Sequence, residues 1–184
     1  IYANKIYKLA DLVFGVSQTY ANRAKVKGTL AKEFISVYIG AEGNKFDDII
    51  KLKEKSKGEV WCIYIGTLSY SYDLLTLILT FHDLKEINPN IKLYILGDGP
   101  DFNILKNKAE ELELLNKTVY LKGFLPYEEV VSYLKSSDIA LNAIKGKALQ
   151  TMTNKFGDFV SAGLPILNCC QMEEVKKNKK KKGL

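Results

Sequence analysis

Residues 152 to 168 read MTNKFGDFVSAGLPILN, and this stretch gathers the residue types that hold an anion. Thr153 stands where an N-cap belongs, before a helix opening at Asn154 and stopped by Gly163-Leu164-Pro165. Free backbone N–H groups and the positive end of the helix dipole gather at such a start. Lys155 adds a full positive charge, and Asp158, three residues on, shares its helical face. A carboxylate one turn beyond a diphosphate can accept both hydroxyls of a ribose. Amide, ammonium and carboxylate together therefore suit a nucleoside diphosphate. The same spacing also describes a surface Lys–Asp pair worth only ~0.2–0.5 kcal/mol, and spacing by itself does not choose between the two.

The elements around this stretch must supply a crevice. From Val60 the sequence alternates apolar runs with amphipathic ones: VWCIYIG, IKLYILG, TVYLKGF, DIALNAI and PILNCC are strands. They are apolar along their whole length, as in a parallel sheet covered on both faces. Helices are expected from SYDLLTLILTFHDLKEIN, GPDFNILKNKAEELELL, PYEEVVSYLKSS and NKFGDFVSAG. Five strands separated by four helices define a doubly wound, mostly parallel α/β sheet, whose ligands lie outside the carboxyl ends of the strands. The strand-to-helix junctions Gly66-Thr67-Leu68-Ser69, Gly97-Asp98-Gly99, Gly123-Phe124 and the loop 145–154 are then the places to look. Ahead of this domain, residues 1–41 read helix, strand, helix, strand, and 42–58 form a charged linker without a core-forming repeat. Residues 59–184 make the main domain and end in a Lys-rich tail, 176–184.

Several chemistries are excluded. Six lysines in the tail account for the whole net charge of +6, leaving a neutral body with no basic surplus for nucleic acid. The tail itself can touch an anionic membrane face. No apolar run approaches the ~18 residues of a membrane span. Cys62, Cys169 and Cys170 lack metal-ligand spacing and read as small core thiols of a reducing cytoplasm. His82 lies within a Leu-, Ile- and Phe-rich helix and reads as a packed or surface residue rather than a base. In the dinucleotide pattern the third Gly would fall on Phe102, and Asp98 would set a negative charge beside the pyrophosphate. Gly146-Lys147 is followed by Ala148, so the hydroxyl of a Walker loop is missing.

Taken in order, VYIGAEGNKFD, YIGTLSYSYDLLTLILTF, LYILGDGPDFNIL, VYLKGFLPYEEVVSYLKSSDIALNAI and TNKFGDFVSAGLPIL resemble the C-terminal half of GT-B fold glycosyltransferases. The nearest branch is the retaining, metal-independent family four of bacterial surface-polysaccharide synthesis. The likeness runs from about residue 34 to 170, and ADLVFGVSQTYANRA is similar to the close of such an enzyme's acceptor-binding domain. It implies a Rossmann-like half of a GT-B fold, truncated at both ends, that binds a UDP- or GDP-linked sugar. The acceptor is a saccharide or lipid-linked sugar. No metal or other cofactor is expected, and the location is cytoplasmic, with peripheral contact at the inner membrane face.

Residue by residue, the resemblance places the family's two glutamates on Gln150 and Asp158, counting back from Gly163-Leu164-Pro165. Asp158 keeps a carboxylate for ribose, while Gln150 keeps only an amide to orient the sugar. Asn154-Lys155 is similar to a subgroup with Asn-Lys at this helix start, so Lys155 and Thr153 are expected to hold phosphate. In the first loop, after Gly66, the family's Arg and Lys are replaced by Thr67 and Tyr72. The hydroxyls of Thr67, Ser69, Ser71 and Tyr72 are substitutes, and Lys145 and Lys147 are nearby in sequence on the loop leading into Gln150. Reaction would proceed on one face of the sugar, the departing diphosphate being stabilised by helix-end amides and Lys155. The rival readings are a nucleotide-sugar epimerase of related fold and a non-catalytic α/β module docked to lipid by its basic tail.

Overall fold

A computed structural model describes residues 2–40, 44–48, 53–145 and 154–169. They fall into two compact units, with 2–40 and Asn154 in the smaller and the remainder in the larger.

In the smaller unit, α1 (Tyr2–Lys8), β1 (Leu12–Gly15), α2 (Gln18–Val26) and β2 (Glu33–Ser36) follow one another. β1 and β2 pair in parallel, Val13 opposite Phe34, with α2 as the crossover between them. Ser17 caps α2, its Oγ accepting the Tyr20 N–H at 3.3 Å.

The larger unit opens with a short helix, α3 (Asn44–Asp47). It continues as β3 (Val60–Ile65), α4 (Leu74–Ile87), β4 (Ile91–Leu96), α5 (Phe102–Glu111), β5 (Val119–Gly123), α6 (Tyr127–Ser136), β6 (Ile139–Asn142), α7 (Lys155–Ser161) and β7 (Ile166–Asn168). The strands lie in the order β5-β4-β3-β6-β7, every pair parallel. The first three strands of the unit run one way across the sheet and the last two the other, so the direction reverses between β3 and β6. That is the switch point of a doubly wound sheet, as the apolar runs predict.

Strand alternation divides the core into two layers. Cys62 and Tyr64 of β3 pack with Leu77, Ile78 and Phe81 of α4 and Leu105 of α5. Trp61, Ile63 and Ile65 point the other way, toward Val131 and Leu134 of α6 and Phe159 of α7. Phe46 joins this second layer. Within the expected linker 42–58, the described residues Phe46 and Lys53 make contacts with the sheet unit. Phe46 is buried, Lys135 donates to its carbonyl at 2.8 Å, and Lys53 pairs with Glu129.

Two helices are shorter than their sequence patterns. α4 begins at Leu74 because Ser71, Tyr72 and Asp73 are committed to another partner. Tyr72 forms an antiparallel bridge with Ile144, Asp73 N–H donates to the Ala143 carbonyl at 3.0 Å, and Lys145 N–H to the Ser71 carbonyl at 3.2 Å. α5 stops at Glu111, and left-handed Glu113 and Asn116 then turn the chain while Leu114 folds into the core. Cys62 is buried as expected, its thiol pushed up to about 11, by burial first and then by the nearby Asp138 carboxylate. Cys169 corrects that reading. It is exposed, because β7 ends at Asn168 and the core ends with it. Cys170 lies outside the described residues.

Candidate functional site

The switch point is built from the loop after β3, the segment after β6 and the start of α7. The loop begins at Gly66, which has φ 116° and so a conformation that side chains disfavour. It is braced from the other side by the Gly97-Asp98-Gly99 turn. Leu68 N–H donates to the Asp98 carbonyl, and Asp101 N–H to the Leu68 carbonyl. A Cβ at Gly97 would overlap the Gly66 carbonyl oxygen, and one at Gly99 the Leu68 carbonyl oxygen. The two glycines that evoke a dinucleotide fingerprint are thus required for two loops to touch backbone to backbone.

Lys155, the first residue of α7, turns inward and is 7% exposed. Its Nζ donates to the Tyr64 hydroxyl at 2.9 Å, and that hydroxyl donates to the Thr67 carbonyl at 2.9 Å. The ammonium also lies 4.0 Å from the ring centroids of both Tyr64 and Tyr72. It stands 3.1 Å from where a Cβ on Gly66 would be. No carboxylate pairs with it among the described residues. Burial brings its pKa down from 10.5 to about 7. Tyr64, pushed up by burial, remains a neutral phenol throughout the working pH range.

Asp158 takes a different partner. Its Oδ1 accepts from the Tyr127 hydroxyl of α6 at 3.1 Å, and burial raises its pKa while the Tyr127 hydrogen bond opposes the rise. The surface Lys–Asp pair allowed by the i,i+3 spacing is not formed. Lys155 faces β3 and the first loop, whereas Asp158 is bound to α6.

Gly66, Thr67, Ser69 and Tyr72 of the sequence-derived set share the first loop, and Lys155 reaches it from α7. Thr67 is exposed and Ser69 half-buried. Tyr72 offers Lys155 its ring face. Asn154 is exposed immediately ahead of α7. Gln150 and Thr153, expected to orient the sugar and cap the helix, lie outside the described residues. α7 itself has only seven residues, so Lys155 carries more of the anion-binding argument than the helix end. Sequence reasoning missed Tyr64 and Tyr127. A signal for Tyr64 existed: a tyrosine in an otherwise apolar buried strand must find its hydroxyl a partner. His82 lies on α4 and is partly exposed beside Asp83, in keeping with a surface helix residue.

This architecture defines a Rossmann-like α/β domain of the kind found in GT-B glycosyltransferases. The chain belongs to the family described as Glycosyl transferases group 1, which matches residues 45–144, more than half its length. An uncharacterized glycosyltransferase of Methanocaldococcus jannaschii is 29% identical over 151 residues, covering 79% of this chain and 38% of the relative. The alpha-monoglucosyldiacylglycerol synthase of Streptococcus pneumoniae is 24% identical over 126 residues, covering 67% of this chain and 28% of that one. This chain therefore spans well under half the length of either relative. Among solved structures, Anabaena HepE in complex with UDP and glucose superposes with a TM-score of 0.71 at 16% identity, over 91% of this chain and 47% of HepE. At that identity the likeness establishes the fold. Among the described residues no helix is long and apolar enough to cross a membrane.

Proposed function

We propose that this chain carries the nucleotide-sugar donor site of a retaining family-four glycosyltransferase, as its C-terminal, donor-binding half. The carrying observation is the Lys155 amine, buried without a carboxylate partner among the described residues and set against Gly66 at the switch point of the sheet. A buried cation lacking an anion is costly unless a ligand supplies one, and a diphosphate in this crevice does so. The free hydroxyls of Thr67 and Ser69 add donors on the same loop. Asp158 keeps one oxygen for ribose while Tyr127 holds the other. The resemblance also assigns Gln150 to the sugar and Thr153 and Asn154 to phosphate; Gln150 and Thr153 lie outside the described residues.

In the reaction read for the intact enzyme, the bond from the anomeric carbon to the diphosphate breaks. The acceptor hydroxyl adds on the same face, and its proton passes to the departing phosphate. Lys155 stabilises the charge that develops there. UDP is the favoured diphosphate, since HepE and other structural neighbours are described in complex with UDP. A saccharide or lipid acceptor in surface-polysaccharide or glycolipid synthesis completes the reading, and it uses no metal. The present chain alone is proposed to bind nucleotide without transferring sugar.

Calorimetric titration of UDP and GDP into the chain and its Lys155→Ala and Asp158→Ala variants tests this. The expected result is binding of one diphosphate, weakened about tenfold or more by either substitution. Absence of binding by both nucleotides overturns the donor reading.

A further inference from the structure

The surroundings of Lys155 go beyond what an anion site requires. A phosphate-binding lysine can extend into water from a surface loop, where its charge is permanent. Here the amine is enclosed by two aromatic rings at equal distance, and the two rings come from independent constraints. Tyr64 is fixed by β3, its hydroxyl bridging Lys155 to the Thr67 carbonyl. Tyr72 is fixed by its bridge to Ile144, so the segment after β6 holds that ring in place. The two rings meet edge to face, with centroids 5.8 Å apart.

We infer that Tyr64 and Tyr72 are positioning residues of the donor site. They clamp the Lys155 amine against Gly66 with no carboxylate to balance it among the described residues, so a nucleoside diphosphate binds there together with a proton. This rests on the donor reading above and adds how the site is regulated. A ring quadrupole attracts a cation without neutralising it, and an enclosed amine is poorly solvated. The free site therefore favours the neutral amine above neutrality. A bound diphosphate brings negative charge within contact and restores the ammonium.

Among the described residues, the charged and titratable groups on the surrounding elements do not supply that counter-charge. β3 contributes the neutral phenol of Tyr64, and the first loop contributes Tyr72, whose phenol burial also holds protonated. Asp73 accepts from Thr76, and Asp98 accepts from the Gly99 N–H. Asp158, on α7 itself, is bound to Tyr127. Beyond β6, Lys145 is exposed and of the same sign as Lys155.

The test is titration of UDP, with GDP in parallel, at about pH 8 in buffers of contrasting ionisation enthalpy, which counts protons taken up per nucleotide bound. The wild-type chain is expected to take up on the order of one proton, and its affinity to fall about tenfold per pH unit above pH 7. Tyr72→Phe keeps the ring and retains both behaviours. Tyr72→Leu opens one side of the clamp to water, raises the amine's pKa and reduces proton uptake toward zero. Binding without proton uptake by the wild-type chain overturns this inference and leaves the donor reading standing. Undiminished uptake in Tyr72→Leu removes Tyr72 from the clamp. If the wild-type chain binds neither nucleotide, the inference and the donor reading both fall.

Discussion

A single lysine illustrates how burying a charge opposes stability. Lys155 is an ionisable group folded into an aromatic pocket, with a native pKa of about 7 against 10.5 for the free side chain. Between those values the unfolded chain binds more protons than the folded one, so stability rises as pH rises through that window. Below about pH 7 both states are protonated and the burial penalty is at its full extent. Lys155→Met keeps the length and apolar stem while removing the charge. It is expected to raise stability at neutral pH by about 1 kcal/mol or more and to flatten the pH slope between 7 and 10. Loss of nucleotide binding is expected in the same variant. Urea melts of both proteins across this range check the prediction, and an unchanged slope would show that the amine is solvated.

At the scale of elements, the site depends on loop-to-loop contact. The first loop is held at its far side by Gly97 and Gly99 and at its near side by the segment after β6. Ala at position 97 or 99 forces its Cβ into a carbonyl oxygen in a backbone conformation that already favours glycine. Each substitution is expected to cost about 2 kcal/mol or more and to weaken UDP binding by displacing Gly66 and Thr67. Chemical denaturation together with UDP titration measures both effects. A Gly99→Ala variant with wild-type stability would contradict the packing role. The same contact explains why the Gly-x-Gly pattern was legible as a turn, whereas its partner was not. Nothing local in Gly97-Asp98-Gly99 indicates that Leu68 lies against it.

For the molecule as a whole, charge is separable from fold. All six excess positive charges lie in residues 176–184, and the remaining body is neutral. Deleting those residues is expected to leave UDP affinity within about twofold, since steering between solvated charges is screened beyond ~8 Å in physiological salt. Any salt-sensitive attachment to anionic vesicles should disappear with them, at ~1 kcal/mol per Lys near the surface. Vesicle co-sedimentation and UDP titration of the shortened chain separate the two effects. A large loss of UDP affinity would tie the tail to the site.

The sheet was legible from sequence because apolar runs such as VWCIYIG and IKLYILG are a local property, and burial on both faces demands them. Gly66, Lys155 and Asp158 could likewise be singled out from residue type and position. Tertiary structure alone decided their partners. It turned Lys155 into the Tyr64–Tyr72 clamp, gave Asp158 to Tyr127, and drew Phe46 from an apparent linker into the core. Periodicity records which face of an element is buried. It carries no record of which distant side chain will meet that face, because such contacts are fixed only when the strands order themselves around the switch point.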